Sequence, residues 1–134
     1  MGKRVVITKA GGVSSITTQP MKPEDPAQGE VRVKVAYAGI NFADLLMRMG
    51  FYQPRPPFPF TPGYEVSGVI DALGPGVSGF QVGQRVVAAM RNGGQASYVL
   101  SEVDRVIPIP DDISLQAAAS TPLTYMTAHH MLHH

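Results

Sequence analysis

The sequence predicts a mainly β protein: a small antiparallel barrel or sandwich with short helices, ending in helix. Three observations predict it. About seven valine-rich stretches of strand length succeed one another. Turns built on glycine and proline separate them at close spacing. The last twenty or so residues then switch to helical pattern, the arrangement of an all-β domain with an appended helix. At 134 residues the chain is one domain, long enough to bury a core.

"KRVVITKA" reads as a first strand and "VSSITTQ" as a second, with Gly11-Gly12 as the hairpin turn between them. "KPEDPAQGE" is a polar, proline-bearing loop. "EVRVKVAYAGI" is the clearest strand: Val31, Val33, Val35 and Tyr37 fall on one face, and Arg32, Lys34, Ala36 and Ala38 on the other. In "NFADLLMRM", Phe42, Leu45, Leu46 and Met49 recur at helical spacing, Asn41 can cap the start and Gly50 can end it.

From Gln53 to Gly63 five of eleven residues are proline, which supplies no N–H, so a ladder strand is excluded and a stiff extended segment expected. "YEVSGVIDALG" is a strand. "GPGVSGFQVGQRV" holds turns leading into another, and Asn92-Gly93 in "RNGG" favours a tight hairpin. "QASYVLS" and "DRVIPIP" are two short strands. Ser114 caps a helix over "LQAAAS", and Pro122 suits the first turn of a second.

Composition narrows the function classes. Formal net charge is +1 with no run of like charge, so nothing points to nucleic acid or a membrane surface. The absence of cysteine removes disulfides and thiolate zinc sites. The first residues lack the apolar core of a secretory signal, and no apolar run is long enough to span a bilayer, so a cytoplasmic protein is expected.

Chemistry-bearing motifs are few. Gly74, Gly76 and Gly79 match G-x-G-x-x-G literally, but "FQVG" opens no helix, and a phosphate-binding loop needs one. A turn between strands is the better reading. All four histidines lie in the last six residues, where His129 with His133 and His130 with His134 form i,i+4 pairs. Two imidazoles without a further ligand make a poor metal site, and a solvated helix end is the plainer account. Glu65 opens an apolar strand, where a carboxylate is costly to bury without a partner. A backbone N–H or a basic residue such as Arg85 would supply one.

"GYEVSGVIDALGPGVSGFQVGQRV" resembles the signature of the medium-chain dehydrogenase/reductase superfamily. Zinc members begin that signature Gly-His-Glu, with the histidine on the catalytic zinc; here the position holds Tyr64. A second zinc ligand in those enzymes is a cysteine after the third strand; here that segment is "AGINFADLL", with Asn41 near the place. The lobe of four cysteines is missing too. "GINFADLL", "GFYQPRPPFPFTPGYEVSG" and "AAASTPLTYMTAHHML" are similar to the zinc-free quinone oxidoreductase branch, and to the vesicle amine transport protein homologues within it.

The resemblance implies a GroES-like barrel over residues 1–121. Residues 122–134 would begin a helix leading to a Rossmann domain that this sequence does not include. It implies hydride transfer from NADPH, without zinc, to a small quinone or enone. Asn41 and Tyr52 would be catalytic hydrogen-bond donors. Asn41 and Thr127 would lie against the cofactor. Asp44, Tyr64 and Glu65 would serve substrate or structure, Glu65 as a carboxylate retained from a metal site. The plain readings are that Asn41 caps a helix, Tyr52 packs on prolines, Tyr64 packs in the core and Thr127 occupies a helix face. A homo-oligomer fits the resemblance as well. Two other functions compete: a non-enzymatic binding or assembly module, and a zinc enzyme with unusual ligands. A co-chaperonin subunit stands further off, because the dehydrogenase-like signature has no place there.

Overall fold

The computed structural model describes residues 1–133. Strand β1 (Gly2–Ile7) doubles back into β2 (Ile16–Met21), pairing antiparallel with Gly2 opposite Met21 and Ile7 opposite Ile16. The second strand starts three residues later than its sequence predicts. Val13–Ser15 form a 3₁₀ turn instead, because the Ser15 hydroxyl and N–H both donate to the Gly12 carbonyl, at 2.7 and 3.1 Å.

Five more strands complete the fold: β3 (Glu30–Ala38), β4 (Glu65–Leu73), β5 (Arg85–Ala89), β6 (Tyr98–Glu102) and β7 (Val106–Pro108). They form one antiparallel sheet in the order β6-β3-β4-β5-β7. Val5 N–H donates to the Gln95 carbonyl at 2.9 Å and Ser97 N–H to the Lys3 carbonyl at 2.8 Å. The first hairpin is thereby bonded to the lead-in of β6, and the two sheets curl into a half-barrel.

Val31, Val33, Val66, Ile70, Val86, Ala88, Val99 and Val106 fill its interior. Each such valine or isoleucine removed from water contributes roughly 1.5–3 kcal/mol. Helix α2 (Leu115–Ala119) lies on the outer side, where Ala118 packs with Val87 and Ile109. The Ser114 hydroxyl caps it, accepting from Ala117 N–H at 3.1 Å.

The alternation in β3 holds as far as Val35. There the register slips: Val35 stands opposite Gly68 but Tyr37 opposite Ser67, so Ala36 is an extra residue. A bulge inverts the facing of the residues beyond it. Tyr37 is exposed, and Ala38 packs on the core in its stead. Gly68 is required beside this bulge, since a Cβ there would lie 2.2 Å from the Lys34 carbonyl oxygen.

Two connections differ from their sequence reading. Asn92-Gly93 does not make a tight hairpin: β5 pairs with β4 and β7, not with β6, and Asn92 keeps a negative φ. The backbone N–H groups of Gly93, Gly94 and Gln95 instead donate to the carbonyls of Thr61, Gly63 and Pro62. Nonlocal partners outcompeted the local turn. The proline-rich segment is extended, as expected, yet it reaches one strand bond pair. Phe60 carries a free N–H between Pro59 and Thr61, and it bridges Ile7 with bonds of 2.8 and 3.1 Å.

Candidate functional site

Helix α1 (Phe42–Met49) begins at Asn41, whose extended backbone and side chain form a capping box with Asp44. Asp44 Oδ2 accepts from Asn41 N–H and Oδ1 from Gly63 N–H, each at 2.9 Å. Gly50, at φ 84°, ends the helix. The stripe that marks α1 as helical is not its buried face. Phe42 is 74% exposed, and Leu45 and Met49 also face solvent; Asp44 and Met47 are the buried residues.

Glu65, the first residue of β4, is 2% exposed. Its Oε1 accepts from Asn41 Nδ2 at 2.9 Å. Its Oε2 accepts from the backbone N–H of Leu123 at 2.8 Å. Leu123 is the second residue of α3 (Pro122–His133), so Glu65 supplies the acceptor that a helix start needs and a carboxylate that its dipole favours. One side chain therefore ties the cap of α1 to the first turn of α3. The partner is a backbone N–H, one of the two expectations. Arg85 is not involved; it donates to the carbonyls of Pro110, Asp111 and Ile113. Gly39 makes room, because a Cβ there would stand 2.4 Å from Glu65 Oε1.

Burial pushes the Asp44 carboxyl above its ordinary range, with Glu65 adding repulsion; the two backbone N–H bonds pull the other way. Tyr64, the residue just before β4, has different neighbours from Glu65. Its hydroxyl is 3.8 Å from Met47 Sδ, and it packs with Tyr52 and Phe58 on Ile7, Met47 and Phe60. Burial first, and then the Tyr52 phenol and Asp44, raise its own phenol to about 12. Thus Asn41, Asp44 and Glu65 converge at one corner, with Tyr52 and Tyr64 on the adjoining cluster.

Thr127 stands apart, exposed one turn beyond Leu123 on α3. The His129 and His133 rings lie 4.5 Å apart on that helix; His134, the partner expected for His130, lies outside the described residues. No three His, Cys, Asp or Glu among the described residues are placed to share a metal ion. Nor is any described helix long and apolar enough to cross a membrane. The glycines at 74, 76 and 79 sit in the turn between β4 and β5, with no helix after them. Sequence reasoning passed over Arg55, which lies over Phe58 with its Cζ 4.3 Å from the ring centroid. Its setting among prolines was the available signal.

A half-barrel with a GroES-type strand order, an acidic residue opening β4 and a capped helix after β3 defines a class. Residues 27–111 match the alcohol dehydrogenase GroES-like domain, and the chain belongs to that family. More narrowly, it is similar to the quinone oxidoreductases and their homologues in the medium-chain dehydrogenase/reductase superfamily. It is 42% identical over 113 residues to rat quinone oxidoreductase-like protein 2, covering 84% of this chain and 32% of that protein. The crystal structure of the human synaptic vesicle membrane protein VAT-1 homolog-like protein superposes with a TM-score of 0.94 at 36% identity, over 98% of this chain and 42% of that one. Escherichia coli quinone oxidoreductase complexed with NADPH superposes at 0.88 and 31% identity, over 98% and 40% of the two chains. The chain spans about a third of the length of the curated relatives it matches.

Proposed function

We propose that this chain is the substrate-side domain of a zinc-independent, NADPH-dependent oxidoreductase acting on quinones or activated enones. The observation that carries the reading is the donor set where zinc relatives hold their metal. Zinc needs thiolate, neutral imidazole or carboxylate. At the two positions that the resemblance matches to zinc ligands, Tyr64 offers a phenol held protonated up to about 12 and Asn41 an amide. Both oxygens of Glu65 and both of Asp44 are already taken. That set does not fit zinc.

An acceptor reduced without a Lewis acid has to be electrophilic already, as a quinone or enone is. When bound, the reduced nicotinamide supplies the hydride. Transfer to a ring or β-carbon adds two electrons and leaves negative charge on the acceptor oxygen. Asn41 gives one Nδ2 hydrogen to Glu65, which fixes the amide's orientation, and keeps the second for the site. Tyr52 presents a phenol that donates to the oxyanion and can pass it a proton, to be replaced from solvent. Asp44 holds α1 in place by its two backbone bonds. The described residues contain no strand–glycine turn–helix unit, so this chain supplies at most flanking contacts to the dinucleotide, from Asn41 and Thr127.

The test is NADPH consumption by the full natural polypeptide over a panel of quinones and enones, beside an NADPH titration of this chain alone. Turnover in the first and no saturable binding in the second are expected. Failure to turn over any acceptor would refute the reading. One observation favours a second reading, an assembly module: Ile40, Phe42 and Phe51 are each about three-quarters exposed. Light scattering tests this second reading, since a strictly monomeric, well-folded chain would count against a module that associates through that surface.

A further inference from the structure

Between the first hairpin and β6 the half-barrel keeps a cleft of about 380 Å³, within the size range of small-molecule sites. It is separate from the candidate site: none of Asn41, Asp44, Tyr52, Tyr64 and Glu65 borders it. Strand β6 ends the five-stranded sheet, and three successive residues of it, Tyr98, Val99 and Leu100, line the cleft. Side chains alternate along a strand, so the cleft runs along that edge rather than over one face. Met90, just past β5, and Met21, the last residue of β2, add to the lining.

The lining divides by chemistry. Met21, Met90, Val99 and Leu100 are apolar and buried or half-buried, so an apolar body placed among them leaves water. Two arginines border the same space. Arg32 is fully engaged: Asp71, Asp25 and the Glu24 carbonyl accept from it, and its Cζ lies 6.0 Å from the Tyr98 ring centroid. Arg4 is not. No carboxylate among the described residues pairs with it, and its side chain makes one bond, 3.4 Å from Nη2 to Gln19 Oε1. Arg4 is exposed, so the other N–H groups of its guanidinium stay open to a ligand. A fork of parallel N–H groups matches the two oxygens of a carboxylate. Glu24 is the one acid on the lining. It would oppose a bound anion, so removing it is a test of the ligand's charge.

We propose that this cleft binds a small amphiphilic carboxylate, its apolar body among the two methionines and Leu100 and its carboxylate on Arg4. The inference does not depend on the proposed reductase.

Octanoate and octanamide share an apolar chain and differ in charge. Each is titrated into this chain while methionine methyl and backbone amide resonances are followed by NMR. Octanoate should shift Met21, Met90, Gly93 and Leu100 saturably and bind more tightly than octanamide, and added salt should narrow the difference. Arg4→Gln should weaken octanoate about 3- to 10-fold and leave octanamide nearly unchanged, a modest loss because the arginine is solvated. Arg4→Lys keeps the charge and loses the fork, so it should recover part. Glu24→Gln should tighten octanoate and leave octanamide alone. The spectra themselves report whether each variant is folded, and Arg4→Lys with the salt titration decides the matter if Arg4→Gln is not.

Equal affinity for the two ligands overturns the inference. So does a preference that survives Arg4→Gln, weaker octanoate binding in Glu24→Gln, or shifts confined to Phe42, Leu45 and Met49 on the exposed face of α1. The full natural polypeptide should give the same shifts; their loss there would mean that its remaining residues fill the cleft, and the proposal would fall. Quinone turnover by that polypeptide bears on the reductase alone, so either reading can fail without the other.

Discussion

Replacing Glu65 tests whether one carboxylate holds two helices. Glu65→Ala leaves two donors without acceptors, Asn41 Nδ2 and Leu123 N–H. Orphaning a buried donor costs about 1–3 kcal/mol, so the pair bounds the loss at about 2–6 kcal/mol. Two facts pull it down. Asn41 and Leu123 are half-buried and regain part of their bonding from water. The variant also no longer desolvates a carboxylate. About 2–3 kcal/mol remains, and at roughly 4 °C per kcal/mol for a domain of this size Tm should fall by about 8–12 °C.

Glu65→Gln should fall between. The Leu123 N–H cannot turn, so the glutamine oxygen must face it, and its amide must face Asn41. Asn41 then has to rotate its own amide out of the capping box, at a cost of about 1 kcal/mol. Thermal melts by circular dichroism give the ranking, and hydrogen exchange at Leu123 reports the helix start directly. A Glu65→Ala chain melting within about 2 °C of native, with Leu123 exchange unchanged, would refute the tie between α1 and α3.

The same geometry predicts the outcome of other perturbations. Gly39→Ala drives a methyl into Glu65 Oε1 and should destabilise by about 1–3 kcal/mol, measured in urea. Phe42→Ser, on the helical stripe but 74% exposed, should change stability by less than about 0.5 kcal/mol. In an alkaline titration followed by tyrosinate absorbance, Tyr64→Phe should remove the component that ionises near 12. Because that folded value lies above the unfolded 10.0, the Tyr64 contribution to stability is complete below about 10 and is lost as pH rises through about 12. The Asp44 carboxyl is likewise raised above 3.8 in the fold. The native chain binds more protons than the unfolded one there, so the stability Asp44 contributes falls as pH rises from 3.8. Asp44→Asn should remove that slope from melts taken across the acidic range.

Local rules were enough for much of this molecule. Valine alternation over Val31–Val35, the stop at Gly50, the caps at Asn41 and Ser114 and the exclusion of ladder pairing by prolines depend on residues within a few positions of one another. They stand in the structure with one exception at Phe60, which still owns a free N–H. The family motif, likewise a run of contiguous residues, could be recognised from "GYEVSG" onward. That Glu65 needs a partner was legible too, since burial of a carboxylate demands one whatever the fold.

The tertiary structure decided who the partners are. Leu123 lies 58 residues from Glu65, and no local pattern links them. Asn92-Gly93 has the composition of a hairpin turn, yet the N–H groups there donate to Thr61–Gly63, because β5 pairs with β4 and β7. The stripe on α1 announces a helix but not which way it faces; the bonds from Asp44 to Asn41 and Gly63 turn the apolar side outward. Conformation is set by short-range sterics and hydrogen-bond supply, but satisfaction of buried polar groups is settled between segments that meet only when the chain has folded.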